Sequence, residues 1–513
     1  MRTMLVVCST LCAFALTAMA GDRPAGAGRA VTGAFTTVYV PDDGCSTTLS
    51  TPPPFGQMPT NLLVPDDSPT GYTAFPITLG ADNTFTVEGV PIGPYFLQLD
   101  TTYPYDPAVY SQLVQLSADS PDLSVVSAAR PDTARVTRTT PVTLNITNMR
   151  PWQSGNQFLI SSSQGDAYER PLTARLTPPP SPGDTSYNGI FDWNLASSTR
   201  NTPGLPDADR GDVVFFNQRS MVDIGGGESA ATLRFASRYA RVTDFTVMDG
   251  TPSTLVASLL EAPMTGQMRA DIRGAEFAAL APEVNPSARP TLQSNLSFSV
   301  QAVPHTVQYP NRPAAAASSL FYYQSLTSTS TNLDYGTFNY PQFHDSFWAE
   351  FGQLIYCFDV TLPAPGTTEP IELSCAASIS YQVPMSPPLT GPIAPVLGPP
   401  TAPLINGEDA FAAHDGLGLQ PVISWSPPDL GTATSYFVSI YSVSPSEEGD
   451  RFPSAAIYSD TSFKVPPGFL RPGRLYYGVI SAYRDDNDLL NRPIYRFGTP
   501  WYQTDCIIGA FTP

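Results

Sequence analysis

Ala433-Thr434-Ser435-Tyr436-Phe437-Val438-Ser439-Ile440-Tyr441 is an alternating segment in which Tyr436, Val438 and Ile440 recur at every second residue. That is the period at which successive side chains point to opposite faces of a sheet, so the segment is expected to be a half-buried strand. Ile423-Ser424-Trp425-Ser426-Pro427-Pro428 precedes it, and Leu470-Arg471-Pro472-Gly473-Arg474-Leu475-Tyr476 follows, each interrupted by proline turns.

The same pattern recurs outward through the chain. Proline supplies 55 of 513 residues, about double ordinary usage, which makes long helices improbable and short turn-bounded strands the rule. An apolar share of 42% is enough to build cores, and the length calls for about three or four of them. The expected fold class is all-β, with several β-sandwich domains in series and at most one or two short helices.

Residues 399–513 resemble a fibronectin type III domain, on the residues quoted above together with Pro400, Pro403, Ile480 and Ala482. The resemblance implies a sandwich in which Trp425 is buried in the core and the Tyr476 hydroxyl bonds back to the backbone. It departs from the family after Asp485, where Asp485-Asp486-Asn487-Asp488 opens a longer tail ending in Cys506. Residues 31–127 resemble a carboxypeptidase regulatory-like module, a small transthyretin-like sandwich. The likeness rests on Asp82-Asn83-Thr84-Phe85-Thr86-Val87-Glu88-Gly89-Val90-Pro91-Ile92-Gly93-Pro94-Tyr95-Phe96-Leu97-Gln98-Leu99. Gly89 and Gly93 suit turn positions of positive φ, and Asn83 stands where the family has glycine. Both resemblances imply support or adhesion and supply no catalytic residue.

Between them, residues 134–383 form a β-rich middle region of one or two domains. Val142, Leu144 and Ile146 alternate strictly, and Met268 to Ala281 is the one helical candidate, through Ile272, Ala275, Ala279 and Leu280. Residues 384–403 hold eight prolines and are expected to be a stiff, extended linker.

The first twenty residues give an address. Arg2, the apolar run from Met4 to Thr17 and Ala18-Met19-Ala20 make a signal peptide cleaved after Ala20. The run is too short to span a bilayer. Val7 and Leu11 stand where a lipobox needs a small residue, so Cys8 and Cys12 are not expected to be lipidated. An almost lysine-free basic set, with Lys464 alone, points to a GC-rich bacterial source. The expected localisation is secreted, periplasmic or cell-surface.

Four cysteines remain, Cys45, Cys357, Cys375 and Cys506, and an oxidising compartment favours disulfides. Cys357 and Cys375 lie on two expected strands around Pro363-Ala364-Pro365-Gly366, so a hairpin pairs them and closes a loop worth about 3 kcal/mol. Cys45 with Cys506 would then join the chain ends. Their spacing does not suit a metal.

A net charge of −19 disfavours nucleic acid and anionic lipid. His305, His344 and His414 lie in different segments without a zinc pattern and read as ordinary loop or surface histidines. No nucleophile elbow or phosphate loop occurs. Asp207, Asp209 and Asp212 place three carboxylates in one Pro/Gly-rich loop as candidate calcium ligands, although Arg210 competes there and the spacing misses the calcium-loop pattern. Arg210-Gly211-Asp212 also matches an adhesion tripeptide. Tyr340, Phe347 and Trp348, within the aromatic cluster from Phe338 to Phe351, are candidates for a sugar-stacking face, against a core role. The combined reading is an exported, non-enzymatic structural or adhesive protein without a cofactor. Its partners would be a cell-surface glycan or protein, not a membrane interior. The alternative is a carbohydrate-binding protein or glycoside hydrolase with its site in the middle region, which needs paired carboxylates beside exposed aromatics.

Overall fold

The structure, a computed structural model, describes residues 28–39, 47–52, 57–66, 68, 71–103, 106–127, 129–195, 203–222, 231–292, 295–304, 318–325, 329–344, 348–366, 369–443, 451–457, 460–485 and 500–513. The fold is all-β, as composition requires, with four large apolar cores among the described residues. The leader segment and Cys45 lie outside the described residues.

The first core is closed by two sheets. In one, Arg29–Tyr39 pairs antiparallel with Thr84–Val90 and Thr47–Ser50 and parallel with Asp122–Ser127. The other runs Tyr72–Pro76, Gln57–Pro65, Tyr95–Tyr103, Asp106–Leu116, all antiparallel. Phe85 and Val87 from one sheet meet Tyr95, Leu97 and Leu99 from the other, which is what their alternation demands. The turn that carries the chain between sheets uses Gly89 at φ 76° and Gly93 at φ 137°, and Asn83 takes φ 61°.

The middle region builds two cores that share strands. Pro141–Thr147, Tyr187–Asp192 and Ser253–Ser258 cover one face of Gln157–Ser162 and Val214–Met221. Along the segment Val213-Val214-Phe215-Phe216, Val214 and Phe216 enter that core, while Val213 and Phe215 enter the next. A strand buried on both faces has no polar side, so this run is continuously apolar. The next core lies under Ala231–Val242, Ser318–Ser325, Leu296–Pro304, Trp348–Leu362 and Ile371–Pro384, and is faced by the pair Gly266–Arg273 and Asn332–Tyr340.

The expected helix from Met268 is corrected here. Met268, Ala270 and Ile272 are all buried at period two on the strand Gly266–Arg273. Helix begins only at Gly274–Ala279, followed by Ala281–Val284. A Cβ on Gly274 would stand 2.2 Å from the Thr331 carbonyl oxygen, so the bend between strand and helix needs glycine.

The C-terminal sandwich sets Glu408–Asp409, Thr401–Ile405, Val422–Ser426 and Ser462–Lys464 against Trp501–Phe511, Tyr476–Asp485, Ser435–Ser442 and Arg451–Ile457. It meets both implications of the fibronectin resemblance. Trp425 is buried beside Tyr436, ring centroids 5.2 Å apart, and the Arg471 N–H donates to the Tyr476 hydroxyl at 2.9 Å. Tyr476→Phe is expected to lower stability by about 1–2 kcal/mol in chemical denaturation, because it removes the hydroxyl that accepts the Arg471 N–H. An unchanged midpoint would show that this corner is not stabilising.

The sheets join edge to edge. Trp501–Phe511 pairs with Tyr476–Asp485 on one side and with Ile371–Pro384 on the other. Arg451–Ile457 pairs in parallel with Asp106–Leu116 of the first sandwich. The result is one 18-stranded hydrogen-bonded sheet in which the first sandwich docks on the last. Their contact is apolar and polar together: Phe96 meets Phe463 at 6.1 Å, the Tyr72 hydroxyl donates to the Lys464 carbonyl at 2.7 Å, and Gln115 donates to Asp460 at 2.9 Å.

The proline-rich segment is not a free spacer. The Arg269 N–H donates to the Leu389 carbonyl (2.9 Å), Ile393 N–H to Asp271 (2.7 Å) and Arg273 N–H to Ile393 (2.9 Å). Ile393 and Leu397 are buried in two different cores. The segment thus covers the outer edge of Gly266–Arg273, an edge that would otherwise present unpaired backbone groups.

Cys357 and Cys375 form a disulfide across the Trp348–Leu362/Ile371–Pro384 hairpin, with Cα atoms 5.0 Å apart. Replacing both with alanine is expected to cost about 2–3 kcal/mol for a loop of this length, read as a lower guanidinium midpoint. A loss under about 0.5 kcal/mol would place the hairpin's stability in its ladder and not in the cross-link. Cys506 is fully buried on the final strand with no disulfide among the described residues, and Cys45, with which it is expected to pair, lies outside them.

Candidate functional site

The acidic loop is used internally. The Asp207 side chain caps a short 3-10 turn by accepting from the Asp209 N–H, and the Asp207 N–H donates to Asp212 at 2.8 Å. Asp212 is buried and takes a two-pronged bond from Arg130, Nε to Oδ1 at 2.6 Å and Nη2 to Oδ2 at 2.8 Å. Arg210 reaches Asp132 and Asp207. Guanidinium groups therefore occupy the place a cation would need, and no three metal-binding side chains converge among the described residues. The same geometry removes the adhesion tripeptide from view, because its Asp212 faces inward. The other acidic cluster divides: Asp485 is buried, and Asp486 and Asp488 lie outside the described residues.

The aromatic candidates are core residues, which corrects the ligand-face alternative. Tyr340 is 1% exposed and its hydroxyl donates to Glu350 at 2.7 Å. Trp348 is 7% exposed and lies edge-on to Phe215 at 5.2 Å. Phe347 lies outside the described residues.

His344 lies in a loop, as expected, but its ring nitrogens are shut away from solvent. Its ring stacks on Trp348 at 4.1 Å and meets Phe215 and Phe343, each at 4.5 Å. Both ring nitrogens are enclosed and lack a hydrogen-bond partner among the described residues, as does Trp348 Nε1. Burial among these rings lowers the pKa of His344 to about 3. His414 bridges to Phe511 with Nε2 donating to the Asp409 carbonyl at 2.9 Å, and His305 falls outside the described residues.

A cavity of about 220 Å³ lies between the Gly266–Arg273/Asn332–Tyr340 pair and the large sheet. Leu233, Met268, Ala270, Ile272, Phe298 and Phe321 form its floor and walls, while Tyr323, Tyr335 and Phe338 complete the lining. Tyr335 and Phe338 are only partly buried on a strand hydrogen-bonded to Gly266–Arg273. The Tyr323 and Tyr335 hydroxyls are 3.2 Å apart, and burial raises the Tyr323 pKa far above the phenol range, so that group stays protonated. The sequence carried one signal for it that the helical reading passed over, the alternation of Met268, Ala270 and Ile272.

No family model matches the chain, and no curated protein matches it. Among solved structures it aligns with a two fibronectin type III domain segment from chicken tenascin at 10% identity, covering 57% of this chain and 97% of that one, TM-score 0.14. It also aligns with the FN1–FN3 domains of chicken CNTN1 at 11% identity, covering 74% and 99%, TM-score 0.13.

Proposed function

We propose that the chain is an exported, non-enzymatic structural or adhesive protein that works outside the cytoplasm as one stiff body. The observation that carries this reading is the continuous 18-stranded sheet, which ties the last strand into the middle region and docks the first sandwich on the last. A chain whose task was flexible reach would leave its sandwiches as separate beads. The leader pattern Arg2 to Ala20, the Cys357–Cys375 disulfide and the carboxypeptidase regulatory-like pattern of residues 82–99 support the export and support roles. No helix among the described residues is long and apolar enough to cross a membrane. In this reading the partner is a cell-surface glycan or protein met by the outer surface of this body. The carbohydrate-directed alternative loses its best residues, since Tyr340 and Trp348 are buried.

Cell fractionation with N-terminal sequencing, combined with a glycan array, tests this. The expected chain begins at Gly21 and sits in the periplasmic, surface or medium fraction. A cytoplasmic chain that retains Met1 would sink the proposal, and turnover of an arrayed glycan would sink its non-enzymatic part.

A further inference from the structure

We infer that the cavity behind Asn332–Tyr340 is a binding site for an uncharged molecule of one or two aromatic rings bearing one hydroxyl or carbonyl. Its volume, about 220 Å³, exceeds the roughly 150 Å³ known to admit benzene and falls below the roughly 300 Å³ at which drug-sized sites begin. That bounds the ligand to about two rings.

The lining selects the chemistry. Phe298, Phe321 and Phe338 surround the space, with Phe321 5.0 Å from Phe338 and 6.1 Å from Phe298. An inserted ring finds tilted and edge-on partners there, and Met268 adds a polarisable sulfur. No charged side chain lines the cavity, so a carboxylate or phosphate buried in it would be unpaired. A sugar would bring more hydroxyls than two tyrosines can satisfy. The hydroxyl pair Tyr323–Tyr335 offers one donor and acceptor site, and partial exposure of Tyr335 and Phe338 places the entrance on that side. This inference goes beyond the structural role proposed above and does not depend on it.

Calorimetry of the full mature chain with 1-naphthol as the probe tests it, with octanoate and glucose as comparators. Saturable binding of one naphthol per chain is expected, with no saturable signal from the comparators. Tyr335→Phe should weaken naphthol roughly 2- to 10-fold, the span of one neutral hydrogen bond. Ala270→Leu should fill the space and reduce affinity at least about tenfold, as overpacking leaves no room for the ring. Absence of saturable naphthol binding overturns the inference, as does octanoate binding tighter than naphthol. Binding unchanged in Tyr335→Phe would also overturn it, and that variant keeps the test decisive should Ala270→Leu not fold.

Discussion

Asp505→Ala is expected to cost about 2–3 kcal/mol, the largest loss from any single truncation considered for this chain. Asp505 is 6% exposed on the final strand, where that strand is shared between the middle region and the C-terminal sandwich. Its Oδ2 accepts from the Ser378 N–H at 2.8 Å and the Ser378 hydroxyl at 3.0 Å, both on the middle-region side. Its Oδ1 accepts from the Ser481 hydroxyl at 2.7 Å on the other side and from Gln503 at 2.9 Å. Hydrogen bonds to a charged acceptor are the strong kind, and removing the acceptor takes the partner from the buried Ser481 hydroxyl and from the half-buried Ser378 N–H and hydroxyl. The effect should also be directional. Guanidinium unfolding of the full chain should split into two transitions, because the ladder from Ile379 to Gln382 is short and Asp505 with Ser378 anchors its end. Asp505→Asn should fall between, keeping one acceptor while turning donors toward donors. A variant that unfolds in one transition within 1 kcal/mol of the parent, on the order of an ordinary surface change, would show that the joint is held by the ladder alone.

The joint was illegible in the sequence for a physical reason. Strand identity is a local property, so Tyr436, Val438 and Ile440, or Val142, Leu144 and Ile146, announce themselves by alternation. The hairpin disulfide was legible too, because Pro363-Ala364-Pro365-Gly366 states the turn that brings Cys357 to Cys375. The pairing of Gln112 with Ser454, or of Tyr381 with Tyr502, depends on register between segments far apart in the chain, and nothing local encodes it. The shared final strand explains why Cys506 reads as a departure from a fibronectin-like pattern: its strand has an outer neighbour, Ile371–Pro384, from the middle region. Proline content misled in a related way. Eight prolines predict a stiff spacer, yet a segment that cannot join a sheet interior lies as readily against an open strand edge as in solvent, and Ile393 and Leu397 supply the apolar contacts that fix it there. The aromatic cluster failed as a site for the converse reason. Tyr340 and Trp348 are the composition of a sugar platform and of a core alike, and only their exposure separates the two.

Acidification should expose a second vulnerability, centred on His344. In the unfolded chain this histidine titrates near its usual 6.5, whereas in the folded chain enclosure by Phe215, Phe343 and Trp348 lowers the pKa to about 3. Below pH 6.5 the unfolded state takes up a proton that the folded state refuses. The stabilising contribution is therefore complete above pH 6.5 and is lost progressively as pH falls toward 3, with up to about 5 kcal/mol at stake. Carboxylates titrate across part of the same range, so the measurement is a difference between parent and His344→Phe. Phenylalanine keeps the ring stack and removes two enclosed nitrogens, so the variant should match or exceed the parent's stability at pH 7. Urea midpoints followed from pH 7 to pH 4 should then fall more steeply for the parent, the gap widening by at most about 1.4 kcal/mol for each pH unit below 6.5. Parallel curves for the two proteins would mean that His344 reaches water in the native state, and that the aromatic box around it opens on the timescale of proton exchange.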